Sequence, residues 1–307
     1  MKVAVLGGPE GLRSSAEAAA GALKEAGHDV RLVSLEGDAA SQLATWRPDA
    51  VFDAIEDGRS YDGDARVLAG LFDAVCVGSD EHACRLANDG SLLPGVMDAF
   101  RMSFGSDITA SWLAGICISR PAFLQWGLDG FLDRIADRAL GFPLCVKPAR
   151  GGSAKRADDV ESLRSALEGA LEVCPEAVVR QWVEGVELRA CVLGSGWDAY
   201  TLPLVEVSCE GDGVRFSAPV RLDSLSPSES DAQAIIFEIE RAALEAYQAF
   251  GMRDYGVIDM AWDGGQARIL GIQTHPSMAQ DREFQAACAA AGLSMPAVLD
   301  ALVGQYE

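Results

Sequence analysis

Short apolar runs alternating with amphipathic stretches open the chain. Val3 to Leu6 is one such run, closed by Gly7-Gly8, and an Ala-rich stretch of helical spacing follows from Ser14 to Ala26, stopped by Gly27. Val30 to Leu35, Ala50 to Ala54 and Ala74 to Val77 repeat the strand pattern. Strand–helix alternation with Gly at the strand exits predicts a doubly wound, Rossmann-like parallel sheet, and an α/β fold class.

The pattern then changes. From Glu81 to about Asp133 it is mostly helical, broken by Gly and Pro, and Phe142 to Pro148 reads as a strand that opens into Ala149-Arg150-Gly151-Gly152-Ser153. A helix is predicted over Val160 to Val173, with the acid pair Asp158-Asp159 at its start, where negative charge suits exposed N–H groups. Ala177 to Val183 returns as a strand, and Leu188 to Leu193 and Ala199 to Val207 read as antiparallel strands. A long helix covers Asp231 to Phe250. Gly256 to Trp262 and Ala267 to Ile272 form a hairpin through Asp263-Gly264-Gly265, and a closing helix runs from Asp281 to Ala291. No internal repeat or low-complexity linker is visible.

Composition narrows the class. A length of 307 residues points to two or three domains, and 49% hydrophobic with 23% charged residues is an ordinary globular balance. The formal net charge of -21 opposes nucleic acid and anionic membranes as partners, while screening over roughly 8 Å at physiological salt leaves room for a local cationic pocket. The 8 Cys are scattered with no C-x-x-C pair, so they read as small buried thiols of a reducing cytoplasm, neither a disulfide framework nor a zinc site. Met1 to Gly8 has neither the length nor the cleavage pattern of a signal peptide, and no stretch is long and apolar enough to span a bilayer. The expected location is therefore cytoplasmic.

Chemistry concentrates where Lys147 ends an apolar strand just before the glycine-rich turn. N–H groups exposed by such a turn cradle phosphate, and a Lys at its base adds a point charge. Downstream lie Val179-Arg180-Gln181-Trp182-Val183-Glu184-Gly185-Val186-Glu187-Leu188, then Gly256-Val257-Ile258-Asp259-Met260, then Leu270-Gly271-Ile272-Gln273-Thr274-His275-Pro276-Ser277-Met278. In this order and spacing the motifs resemble the D-alanine–D-alanine ligase family of ATP-grasp enzymes, over nearly the whole chain. Gly7-Gly8, the run Val51 to Ser79 with Asp62-Gly63, and Ala289 to Ser294 extend the likeness.

The resemblance implies an ATP-grasp fold: an N-terminal Rossmann-like domain over 1–80, a central α+β domain over 81–180 and a C-terminal α+β domain over 181–307. It implies ATP between the latter two, two magnesium ions held by carboxylates and an Asn, and an acyl-phosphate mechanism completed by an oxyanion-stabilising Arg. Carried over residue by residue, the cofactor-binding positions are Lys147, Gly152, Ser153, Trp182, Val183 and Glu187, and the metal positions are Asp259 and Gln273. Departures fall on the chemical half. Gly271 stands in place of the metal-bridging Glu, Gln273 of the Asn, Val257 of the oxyanion Arg, and Ser277 of a Gly. Arg180 replaces an acid expected beside adenine. Phe104 or Ile108 falls near the second phosphate lysine, Glu56-Asp57 replaces the His-Gly of the first-substrate site, and Tyr61 the acid before Asp62. Val207 to Ala218 shows no counterpart of a mobile-loop Lys.

His28, His82 and His275 share no spacing of a metal site or catalytic pair and read as structural or surface residues. Three readings follow. One is a degenerate member that binds ATP or another small-molecule ligand weakly, or acts with a partner subunit or as a homodimer. Another is a divergent ATP-dependent carboxylate–amine ligase on another substrate. The last is an interaction protein without a nucleotide site.

Overall fold

The computed structural model describes residues 1–8, 14–34, 38–55, 64–105, 108–210 and 213–306. Glu56-Asp57, Tyr61, Asp62-Gly63 and Leu35 lie outside the described residues, as do 211–212 within the stretch Val207 to Ala218. The first elements alternate as the hydrophobic pattern requires: β1 (Lys2–Gly7), α1 (Ser14–Glu25), β2 (Asp29–Ser34), α2 (Ala39–Trp46), β3 (Ala50–Asp53), α3 (Asp64–Leu71) and β4 (Val75–Val77). The four strands are parallel in the order β2-β1-β3-β4. Alternation of side chains along β1 sends Val3 and Val5 to one face with α1, and Ala4 and Leu6 to the other with Leu43 and Trp46 of α2. The sheet is doubly wound.

Next come α4 (Glu81–Asn88), α5 (Leu93–Phe104), β5 (Ser111–Trp112), β6 (Gly115–Ser119), α6 (Arg120–Asp137), β7 (Leu144–Pro148), β8 (Lys155–Ala157), α7 (Val160–Val173) and β9 (Glu176–Gln181). The antiparallel sheet β6-β9-β7-β8 is covered by α6 and α7. Helix α7 starts where Asp159 and Ser162 form a reciprocal capping box, and it buries Leu163, Ala166, Leu167, Ala170 and Leu171, a stripe of three- and four-residue spacing. Strands β5 and β6 interrupt the stretch expected to be mostly helical and broken by Gly and Pro. Gly115 is there for proximity: a Cβ on it would lie 2.9 Å from the Val179 carbonyl oxygen of β9.

The third sheet is built from β10 (Val186–Leu193), β11 (Tyr200–Thr201), β12 (Val205–Glu210), β13 (Gly213–Ser217), β14 (Tyr255–Trp262) and β15 (Ala267–Gln273), with α8 (Leu222–Leu225), α9 (Glu229–Ala249), α10 (Glu283–Ala290) and α11 (Met295–Gly304). Its order is β13-β12-β10-β14-β15-β5, with β11 also on β10. The single strand expected over Ala199 to Val207 is divided at Pro203, which has no N–H to give a ladder. One face of this sheet buries Leu188, Ala190, Ile258 and Met260 against α9. The opposite face meets α10, α11 and the first sheet through Cys191, Val257, Tyr255 and Phe284.

The first and third sheets are also clasped by one carboxylate. Asp254, buried and with φ 67°, accepts from the Gly78 N–H at 2.7 Å, the Tyr306 hydroxyl at 2.6 Å and the Ser195 hydroxyl at 3.3 Å. Among the described residues no single helix is long and apolar enough to cross a membrane.

Candidate functional site

Strand β7 delivers Lys147 to the place where the sheets meet. The chain then turns through Gly151 and Gly152, both left-handed at φ 65° and 67°, a conformation that suits glycine. A side chain on Gly152 would also strike Pro148, 2.9 Å from its Cγ. The link between α4 and α5 closes over the lysine, where the Gly90 N–H donates to the Ala149 carbonyl at 2.8 Å. A Cβ on Gly90 would sit 3.0 Å from Lys147 Cε and 3.1 Å from Nζ.

These elements wall a cavity of about 260 Å³. Asp53 and Ile55 reach it from the first sheet, Lys147 and Gly152 from the second, and Asp259, Gly271, Gln273 and His275 from the third. Burial pushes the Lys147 ammonium below the usual lysine range, and nearby Arg180 adds to the fall, against a smaller opposing pull from Asp259 and Asp89.

Opposite the lysine, strands β14 and β15 pair Asp259 with Gly271. The missing side chain leaves room for the carboxylate, since a Cβ on Gly271 would lie 2.9 Å from Asp259 Oδ2. Asp259 Oδ1 accepts from Gln273 Nε2 at 2.6 Å and lies 3.0 Å from Arg189 Nε. Arg189 in turn donates through Nη2 to Glu187 Oε1 at 2.8 Å. Burial opposes the Arg189 charge, but Asp259 and Glu187 outweigh it and lift its pKa above the ordinary guanidinium value. Val257, two residues before Asp259, is fully buried and offers only methyl groups.

At the end formed by β3, Asp53 Oδ1 takes the Ile55 N–H at 3.1 Å, while Oδ2 lies 3.6 Å from His275 Nε2. The other ring nitrogen of His275 is 3.2 Å from the Thr274 hydroxyl.

Of the positions singled out in the sequence, Lys147, Gly152, Asp259 and Gln273 line the cavity, and Glu187 connects to it through Arg189. Ser153, Trp182 and Val183 are outside its lining. Ser153 is exposed beyond the turn, and the Trp182 N–H is engaged by the Pro143 carbonyl at 3.0 Å. His275, taken as structural or surface, is also part of the cavity lining. Asp53, Gly90 and Arg189 were not singled out. The Glu187-x-Arg189 spacing was the available signal, since alternate strand residues share a face.

Residues 130–304 match the protein family described as "D-ala D-ala ligase C-terminus". The D-alanine–D-alanine ligase of Nitrosomonas eutropha is 28% identical over 313 aligned positions, covering 95% of this chain and 92% of that protein. That of Xanthomonas axonopodis pv. citri is 30% identical over 220, covering 64% of this chain and 67% of the relative. Among solved structures, the VanG D-Ala:D-Ser ligase of Enterococcus faecalis superposes with a TM-score of 0.79 at 19% identity, covering 100% of this chain and 99% of the other. The Bacillus anthracis D-alanine–D-alanine ligase complexed with ATP gives 0.79 at 18% identity, covering 100% and 97%.

Proposed function

This chain belongs to the D-alanine–D-alanine ligase family of ATP-grasp proteins, and from that premise we propose that it binds ATP or a similar phosphate-bearing small molecule beside Lys147 and carries out little or no D-alanine–D-alanine ligation. Lys147 and the glycine turn supply a point charge and backbone N–H groups on one wall of the cavity. The net charge of -21 speaks against nucleic acid as the partner.

One observation carries the negative half of the reading: the Asp259 carboxylate is engaged by Gln273 and Arg189, and Gly271 beside it contributes no side-chain oxygen. Magnesium requires an octahedral shell of oxygens at about 2.0–2.1 Å and usually takes one or two free carboxylates besides phosphate. Among the described residues no three His, Cys, Asp or Glu are grouped to hold a metal. The donor set does not fit the ions that the family's reaction uses, and Val257 gives nothing to a developing oxyanion.

Calorimetry tests the binding half. A charge-assisted hydrogen bond contributes about 1.5–3 kcal/mol, so Lys147→Met weakens ATP binding roughly ten- to a hundredfold. Equal affinity in wild type and variant removes Lys147 from the site, and binding in neither favours an interaction protein. For the chemistry, ATP, magnesium and D-alanine release no phosphate above a boiled control; D-Ala–D-Ala formation overturns the reading.

The second reading, a ligase acting on another amino acid or peptide, draws on Asp53 and His275, an acid and a potential base within the same cavity. Phosphate release across a panel of amino acids that disappears in His275→Asn supports it.

A further inference from the structure

Glu187 and Arg189 lie on one face of β10, and Arg189 stands directly across the ladder from Asp259. Two of its three guanidinium nitrogens make hydrogen bonds, and the third lies at ion-pair distance from Asp259. Nη2 serves Glu187 at 2.8 Å, Nη1 the Leu188 carbonyl at 3.1 Å, and Nε faces Asp259 at 3.0 Å. Acids so placed are costly unless a cation is fixed among them. A divalent metal or a side-chain cation can bridge such carboxylates, and here a guanidinium holds the position.

We infer that Arg189, paired to the cavity-lining Asp259, is the resident cation at this carboxylate and does there the charge-neutralising work a divalent metal would do, so that the phosphate-bearing ligand binds without metal. The ligand's identity rests on the function proposed above; the role of Arg189 does not.

Manganese alone is the probe, with free and bound ion followed by electron paramagnetic resonance on the full chain. A protein of charge -21 holds some manganese over its whole surface, so the informative quantity is the part that depends on Asp259. Wild type and Asp259→Asn bind manganese alike. Arg189→Ala gains one site per chain, roughly tenfold tighter than the surface background, and Arg189→Ala/Asp259→Asn loses it. Arg189→Lys, which keeps the charge, behaves as wild type. A wild-type site that vanishes in Asp259→Asn overturns the inference, and so does a folded Arg189→Ala indistinguishable from wild type. If Arg189→Ala does not fold, the comparison of wild type with Asp259→Asn still decides. ATP affinity in EDTA and in excess magnesium should agree within about threefold, and a tenfold gain with magnesium also overturns it. Failure of ATP to bind at all sinks the proposed function and leaves the manganese result standing.

Discussion

Replacing Asp254 by Ala removes the acceptor shared by the Gly78 N–H, the Tyr306 hydroxyl and the Ser195 hydroxyl. Each buried donor left without a partner costs about 1–3 kcal/mol, less where water can enter, as beside half-buried Tyr306. The position is left-handed at φ 67°, which adds about 1 kcal/mol of strain for Ala. Together these give a loss of about 3–5 kcal/mol, a large part of the roughly 5–15 kcal/mol that holds a typical fold. For 307 residues, an unfolding entropy near 2.1 cal/mol/K per residue converts this to a fall in Tm of about 5–8 °C. Thermal unfolding followed by near-ultraviolet circular dichroism reads the change, with Tyr306→Phe, which removes a single donor, costing about 1 kcal/mol. Asp254→Ala melting within about 1 °C of wild type would show that the clasp is not a source of stability.

Other outcomes follow from the same structure. Lys147 must be charged to hold phosphate, and burial lowers its pKa from 10.5, so ligand affinity should begin to fall at a lower pH than for an exposed lysine; a profile flat to that value refutes the placement. The linked stability has the opposite sign. Between the lowered folded pKa and 10.5 the unfolded chain binds more protons, so stability rises with pH across that window, as urea titrations can show. Gly90→Val crowds the Lys147 amine and should weaken ATP binding at least tenfold at little cost in Tm, which paired calorimetric and melting measurements separate. Among the thiols, exposed Cys117 and Cys209 should react with a disulfide reagent while the buried six stay protected until unfolding. Cys117 should be the slower at neutral pH, because partial burial, Glu176 and Asp89 raise its pKa.

What could be read from the chain was what depends on neighbours in sequence. Helix α7 is legible because Asp159 caps it and Leu163, Ala166, Leu167 and Ala170 repeat at helical spacing. Lys147 is legible because an apolar strand ends on it ahead of two glycines. Strand β5, two residues long, was hidden because it gains its pattern only by lying parallel to β15. Arg189 could not be assigned to Asp259 without the register of β10 on β14, and Asp53 meets His275 only because two sheets dock. Gln273 was read as a ligand from its place in a motif, and its amide donates to the other such position, Asp259, at 2.6 Å.

No single sheet encloses the cavity: Asp53, Lys147 and Asp259 stand on three different ones. A ligand that fills the cavity would meet all three walls at once, and molecules with the sheets docked would then be the ones competent to hold it. Apparent affinity is then the intrinsic affinity reduced by the populated fraction of that docked state. A substitution that never touches the ligand, at the Gly78–Asp254 link for instance, can weaken binding simply by making competent molecules scarcer. Occupancy works in reverse, slowing amide exchange together in stretches around residues 53, 147 and 259 that lie far apart along the chain.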